Sequence, residues 1–552
     1  MKRVLILSIS PTAMLACRPE SVTSPVVDPA HSAERRAVVA IRRNGNQLVG
    51  PDGKPVALRG IAFGNEVWSN GALPPAAHHT EADYARVKDM GMNVIRFYMN
   101  YQTFEDDAAP YTYKQTGWRW IDQNIAWARK YGIYLILNIH VPQGGFQSNG
   151  EGTALWTNPE NQKRLTALWQ AIAKRYAGEP IIAGYDLLNE PQTTQSIDQW
   201  KTLAQQLTDA IRRVDKGHLI VVERLNAINN VYGDFTGESN LFLVRDENVL
   251  YEFHTYEPYF YSYQLLEGSK LGDGGKYPDP DLITIPGDAR WYSTSSGNPA
   301  VAAGTTGWAF YEGTKFTVSD PAMKVAMPVF QVAAAGSGTA LLDDIVVKEY
   351  NPNGQFVRDV LTLNPTTADD WYFWSQNNTG SLTVAPEGRA DGRSLAISGT
   401  TGDANVGAYT KRFVPKQGYG YQISGWLKGT NLPATATAKL RLDFETTASP
   451  VLARDKSYLA SAIKPAVDWG KKNNVPMYSG EFGVGRPCFQ NGKGGTAWVS
   501  DMLDLIAENN LHATYHVYHE DSFGIYPGYG RLPVADEGNQ PLIDVLKSRL
   551  KR

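Results

Sequence analysis

The chain alternates short apolar runs with amphipathic stretches from about residue 55, stops doing so for about 190 residues, and then resumes. Runs of strand length lie at 56–63, 93–99, 134–140, 181–189, 219–223 and 249–256. Stretches with helical period lie at 81–90, with Thr80 placed as an N-cap, and at 117–131, 159–176 and 196–215. Strands separated by helices pair in parallel through crossovers. After the break, helices at 456–472, 496–508 and 541–550 and strands at 476–481 and 513–518 bring the strands to eight. The two flanking pieces total about 320 residues, within the roughly 200 to over 400 that an eight-stranded barrel uses. The predicted fold class is α/β, a (β/α)8 TIM barrel. A doubly wound open sheet would favour a glycine-rich phosphate turn after its first strand, and Gly60-Ile61-Ala62-Phe63-Gly64 lacks that pattern.

The interruption has no long helical period. Short alternating runs at 324–332, 340–347, 394–397, 420–426 and 439–444 are separated by Gly, Asn, Thr and Pro, which predicts an inserted all-β, jelly-roll-like sandwich. It follows the sixth barrel strand, so it projects from the C-terminal rim, where barrel active sites lie. The predicted division is a signal or lipobox segment at 1–17, a flexible tether at 18–40, barrel at 41–265, sandwich at 266–455 and barrel again at 456–552.

At the N-terminus, Lys2 and Arg3 precede a mostly apolar run from Val4 to Leu15, then Ala16-Cys17. This is the layout of a secretory signal, and it is too short to span a bilayer. Met14-Leu15-Ala16-Cys17 resembles a bacterial lipobox, with Leu15 larger than usual at its place; the alternative is an ordinary cleaved signal. The expected location is therefore secreted, or lipid-anchored at the bacterial cell envelope through Cys17. The other cysteine is Cys488, and acylation of Cys17 would leave no disulfide. Lys and Arg total 53 against 56 Asp and Glu, so charge gives no case for nucleic acid or for an anionic membrane face. The 14 Trp and 29 Tyr suit a protein that stacks on flat ligands such as sugar rings, or a large β-rich protein that buries many aromatics.

In a barrel, side chains at the C-terminal strand ends converge on one pocket. Strand two ends near Arg96, strand three at His140, strand four at Asn189-Glu190-Pro191, strand six at His254 and Tyr256, and strand seven at Glu481. Two carboxylates facing each other suit glycosidic bond cleavage, one to protonate the leaving oxygen and one to attack or to activate water. Singly, each residue has a structural reading: helix cap, salt bridge, core histidine or turn carboxylate. A metal site from His140, His254 and a glutamate is the weaker rival, because no short-spaced ligand pair is present. No metal and no organic cofactor are expected.

The motifs Leu58-Arg59-Gly60, Asn93-Val94-Ile95-Arg96, Asn138-Ile139-His140, Leu187-Leu188-Asn189-Glu190-Pro191, Phe253-His254-Thr255-Tyr256 and Ser479-Gly480-Glu481-Phe482-Gly483 make the barrel resemble a family 5 glycoside hydrolase, the cellulase family. The resemblance covers about 55–265 and 455–530. It implies Glu190 as acid/base and Glu481 as nucleophile. It also implies Arg96 and Tyr256 in contact with the nucleophile, Asn189 on the sugar 2-hydroxyl, and His140 and His254 lining the cleaved subsite. The family usually ends strand eight in a Trp platform. Here His516 aligns with it, and Tyr518 is expected on the same strand face. Trp68, Tyr98, Phe146 and Trp156 are placed on rim loops, as sugar platforms or as packing.

The insertion resembles a carbohydrate-binding module of the family 4 and 9 kind, through Trp371–Trp374, Gly392-Arg393-Ser394-Leu395, Tyr419–Lys428 and Leu440–Phe444 for its first half. Trp308–Tyr311, Phe316-Thr317-Val318 and Ala340–Val347 resemble the second half, which here comes first and suggests a circular permutation. The alternative is a sandwich that only walls the cleft. The expected activity is that of a retaining endo-β-1,4-glucanase on a polysaccharide or oligosaccharide, with a β-mannanase or exo-acting β-glucosidase as alternative. A non-catalytic glycan-binding protein is the rival from another class. A monomer is expected, with no nucleic acid partner and no membrane contact beyond the lipid anchor.

Overall fold

The computed structural model describes residues 40–68, 78–267, 269–285, 290–294, 297–389 and 392–551. The signal segment, Cys17 and the tether up to residue 39 lie outside the described residues.

Eight parallel strands close a barrel. They are β1 (Arg59–Phe63), β2 (Val94–Asn100), β3 (Tyr134–Val141), β4 (Ile182–Asp186), β5 (Leu219–Glu223), β6 (Val249–Thr255), β7 (Met477–Phe482) and β8 (His512–Tyr515). Each strand pairs with its neighbours in sequence, and β8 closes on β1. The closure needs Gly60, because a Cβ there would sit 1.7 Å from the Val94 carbonyl oxygen. The outer ring includes α1 (Glu81–Asp89), α2 (Gln115–Tyr131), α3 (Pro159–Tyr176), α4 (Ile197–Arg212), α5 (Lys456–Asn473), α6 (Gly495–Glu508) and α7 (Gln540–Leu550). At the start of α1 the Thr80 N–H donates to Asp83 Oδ2 at 2.7 Å. Between β5 and β6 the chain runs through two short strands, Ala227–Ile228 and Val231–Tyr232, joined to Gln192–Thr193.

The strands alternate as a barrel requires. In β2, Ile95, Phe97 and Met99 face the helices, while Val94 belongs to an interior apolar plug with Ile136, Ala183, Leu219, Val221, Leu250 and Tyr478. Ile41 and Leu48, from a hairpin formed by Arg42–Asn44 and Gln47–Val49, join the same plug at the N-terminal end. Apolar side chains therefore fill the lower barrel, and polar ones occupy the upper part.

Beyond β6, a short helix (Tyr259–Ser262) leads into two antiparallel sheets. One has the strand order 290–293, 437–446, 323–333, 403–407, 372–375; the other has 309–312, 420–430, 339–350, 394–398, 381–385, with 356–363 added beside 339–350. Strand 323–333 lies between 437–446 and 403–407, and strand 339–350 between 420–430 and 394–398, so early and late segments interleave in both sheets. Their inner faces close one apolar core that includes Phe330, Val332, Leu342, Leu395, Ile397, Leu440 and Phe444. An antiparallel pair, Asp279–Thr284 with Leu452–Arg454, brings the entering and leaving chain side by side. Phe260 stacks on Tyr409 at 4.0 Å between ring centroids and meets Tyr372 edge-on at 5.0 Å. It thereby fixes the outer face of the five-stranded sheet, with Met327 and Val329, to the loop after β6.

Candidate active site

The pocket is built by period-two alternation along the barrel strands. In β6, Leu250 lies in the interior plug, and Glu252 and His254 follow on the same inward face, with Tyr256 just beyond. In β2 the inward series is Val94, Arg96, Tyr98; in β5 it is Leu219, Val221, Glu223. Each strand thus runs from an apolar base to a polar top.

Glu481 lies at the top of β7, 4% exposed. Its Oε1 accepts from Arg96 Nη1 at 2.7 Å and from the Tyr98 hydroxyl at 2.6 Å, and its Oε2 accepts from the Tyr256 hydroxyl at 2.5 Å. His254 Nδ1 and His516 Nδ1 lie 3.6 and 3.7 Å from Oε2. Burial opposes ionisation, but His254, His516 and Arg96 outweigh it and hold the Glu481 carboxyl well below the usual carboxylate range. Gly480 makes this possible sterically, because a Cβ there would sit 1.5 Å from Glu252 Oε1.

Glu190 follows β4 and adopts φ +40, a left-handed conformation that costs of order 1–3 kcal/mol for a residue with a side chain. Its N–H donates to Glu223 Oε2 at 2.6 Å, which anchors the turn. Its Oε1 lies 2.9 Å from His254 Nδ1. One carboxylate oxygen of Glu190, one of Glu481 and a ring nitrogen of His254 all lie within 4.8 Å of one another. Asn189 Oδ1 accepts from Arg96 Nη2 at 3.0 Å, and its Nδ2 donates to Ser148 Oγ at 3.0 Å. His140 stacks beneath Tyr98 at 4.0 Å, and burial keeps its imidazole neutral, well below its ordinary pKa.

Arg96 also reaches Asp186 Oδ2 at 2.8 Å, Glu252 Oε1 at 3.1 Å and Glu223 Oε2 at 4.0 Å. More acids than cations surround it. Burial pushes Asp186 up to about 8 and Glu223 well above the usual range, so both hold protons near neutral pH. Burial works against a charge on His254, but Glu481 and the hydrogen bonds with Glu190 and Glu252 raise it well above its ordinary value. Sequence reading missed Asp186, Glu223 and Glu252. The available signal was a charged residue on the inward register of an otherwise apolar strand, as in Val221-Val222-Glu223 and Tyr251-Glu252-Phe253-His254. Among the described residues, two groups could offer three ligand atoms to a metal within 4.8 Å, Glu190, His254 and Glu481, and Glu223, Glu252 and His254; His140 belongs to neither.

The structure thus brings together Glu190, Glu481, Arg96, His140, Asn189, His254, Tyr256 and His516. Three expected positions need correction. Tyr98 is not on a rim loop; it lies in β2, fully buried, and hydrogen-bonds Glu481. Trp156 is no platform, because it is buried against Trp200 with its indole N–H on Gln147 Oε1 at 2.8 Å. Tyr518 turns away from the pocket, packs on Phe63 and donates to Asp83 Oδ1 at 2.8 Å. Strand β8 ends at Tyr515, so the two-residue repeat that linked Tyr518 to His516 does not extend that far. Trp68 and Phe146 stay at the rim, 6.0 and 5.7 Å from the His140 ring. Cys488 is a buried free thiol, pushed up to about 12 by burial.

Two acids, one held ionised, at the top of a closed β/α barrel define a class of carboxylate-pair hydrolases. Residues 49–279 match the cellulase (glycosyl hydrolase family 5) profile. Endoglucanase C of Acetivibrio thermocellus is 29% identical over 191 residues, 35% of this chain and 54% of that protein. A β-xylosidase of Phanerodontia chrysosporium is 33% identical over 187 residues, 32% of this chain and 37% of that protein. The chain spans about half the length, or less, of these curated relatives. A Thermotoga maritima Cel5A structure with cellobiose superposes with TM-score 0.47 at 15% identity, covering 89% of this chain and 97% of that one.

Proposed function

We propose that this protein is a retaining β-glycoside hydrolase that cleaves β-1,4-linked glucan internally. The observation that carries the reading is the Glu481 carboxylate, held ionised by Arg96, Tyr98 and Tyr256, with a Glu190 oxygen within 4.8 Å. Retaining pairs stand about 5–5.5 Å apart and inverting pairs about 6.5–9.5 Å. In the first step Glu481 forms a bond to the anomeric carbon as the C1–O bond to the leaving sugar breaks, and the Glu190 proton goes to that oxygen. In the second, Glu190 takes a proton from water, whose oxygen displaces Glu481 and restores the original anomeric configuration. In this reading Asn189, tied to Arg96, would bind the sugar 2-hydroxyl. The name of the Acetivibrio relative supports the choice of glucan.

Glu481→Ala should lower turnover at least 10⁴-fold, as an order-of-magnitude expectation for loss of a nucleophile. Added azide should restore it as an inverted glycosyl azide. Inverted rescue of Glu190→Ala in its place would exchange the two roles. Hydrolysis products from β-glucans and mannans test the substrate, and a preference for mannan would overturn the glucan assignment. We further propose export through the N-terminal segment with acylation at Cys17; radiolabelled palmitate incorporated into wild type and not into Cys17→Ser tests the anchor.

A further inference from the structure

We infer that Ser148, in the loop after β3, is a positioning residue whose hydroxyl fixes the Asn189 amide so that its free N–H meets the sugar 2-hydroxyl. The inference rests on the roles proposed for Glu190, Glu481 and Asn189, and it names a residue that lies outside all the strand-end motifs.

Arg96 settles which way the amide faces. A guanidinium only donates, so the Asn189 atom 3.0 Å from Arg96 Nη2 is the carbonyl oxygen Oδ1. The amide nitrogen therefore points the other way, where it donates to Ser148 Oγ at 3.0 Å. That bond uses one of its two N–H groups and leaves the second to donate. An amide held at its oxygen alone can still turn about the Cβ–Cγ bond, a broad torsion with no sharp minima. A second anchor at the nitrogen fixes the plane. The hydrogen bond to the 2-hydroxyl strengthens as the oxocarbenium-like state forms, so its worth depends on that plane being set beforehand.

Ser148 is itself held in place. Its neighbour Gln147 is fully buried, donates through Nε2 to the Gly145 and Gly152 carbonyls, both at 3.0 Å, and accepts at Oε1 from Trp156 Nε1 at 2.8 Å. Trp156 thus anchors this loop from within. The Ser148 carbonyl accepts from Gln192 Nε2 at 2.9 Å, and the same nitrogen reaches the Tyr232 hydroxyl at 3.0 Å. Gln192 lies two residues beyond Glu190 and Asn189 one residue before it. The loop after β3 therefore grips the chain on both sides of the acid, by the Ser148 hydroxyl on one side and the Ser148 carbonyl on the other. The contacts of Gln147 and of the carbonyl do not involve the hydroxyl, so Ser148→Ala removes only the bond to Asn189.

The test uses the full chain and two substrates, a dinitrophenyl β-cellobioside and its analogue lacking the 2-hydroxyl on the sugar joined to the phenol. Dinitrophenolate leaves without a proton, so kcat/KM on this pair does not report on Glu190 as acid. Asn189→Ala should lower kcat/KM about 100-fold on the parent and by less than about threefold on the analogue. Ser148→Ala should lower it about fivefold to tenfold on the parent, leave the analogue within about twofold, and add nothing in the Asn189→Ala background. Ser148→Thr, which keeps the hydroxyl, should restore most of the loss. Equal loss from Ser148→Ala on both substrates, no loss on the parent, or a further loss on top of Asn189→Ala would overturn the inference and leave the catalytic reading standing. Equal loss from Asn189→Ala on both substrates would overturn the 2-hydroxyl role and the inference with it. Turnover of neither substrate by wild type would end the catalytic reading and the inference together.

Discussion

The barrel and the sandwich bury different things. The sandwich encloses an almost wholly apolar core, from Phe330 and Leu342 to Leu440 and Phe444. The barrel places a fully buried Arg96 among Asp186, Glu252, Glu223 and Glu481. Taking so many ionisable groups out of water costs several kcal/mol per charge before pairing offsets it. Two of the acids accordingly hold protons. The sandwich is built for stability, whereas the upper barrel gives up stability for one ionised carboxylate at a fixed place.

The largest expected effect comes from removing the cation. Arg96→Leu should strand the Glu481 charge and destabilise the barrel by about 3–5 kcal/mol. It should also abolish turnover of an aryl glycoside. Unchanged thermal unfolding would contradict the account of Arg96 as the barrel's charge anchor. Phe330→Ala should cost about 3–5 kcal/mol as well, but within the sandwich. Calorimetry should then show an earlier transition, while aryl-glycoside kinetics at lower temperature stay near wild type. Lost aryl-glycoside turnover would mean that the two regions do not keep their costs separate.

A smaller effect concerns pH. The native Asp186 pKa is raised to about 8, so the native state binds more protons than the unfolded chain above the unfolded pKa of about 4. The contribution of this group is therefore full at low pH and is lost as pH rises from about 4 through about 8. In Asp186→Asn the decline in Tm over that window should be shallower than in wild type, and an unaltered slope would remove Asp186 from the explanation. The smallest effect is expected from Glu223→Gln, which keeps an acceptor for the Glu190 N–H and, like the protonated acid, carries no charge near neutral pH. It should lower kcat by less than about fivefold, below the worth of one hydrogen bond of about 1 kcal/mol. Glu223→Ala should do more, through the loss of the anchor on the strained turn.

Much of this contrast was legible in the residue order. Strand–helix alternation specifies a parallel barrel, because each apolar run needs a crossover to reach its neighbour. A long all-β interval after strand six belongs to a second core. Strand-end residues such as Glu190, His254 and Glu481 could be read as converging, because a period of two carries each inward side chain to the same rim. The same reasoning misplaced Tyr518, since it extended a strand beyond Tyr515, and it put Tyr98 on a loop although its strand continues to Asn100.

Tertiary structure alone decided which partners meet. Glu223 reaches the backbone of Glu190 from 33 residues away, and Glu252 sits against Arg96 only because Gly480 leaves it room. Interleaving of early and late sandwich strands, and the seating of Phe260 between Tyr372 and Tyr409, were equally invisible in the chain order. The residue order determined what each strand would turn inward, because alternation is a local property of the backbone. Which of those groups share a proton, a cation or a sugar depends on distances between segments far apart in sequence, and closing the barrel and seating the sandwich set those distances.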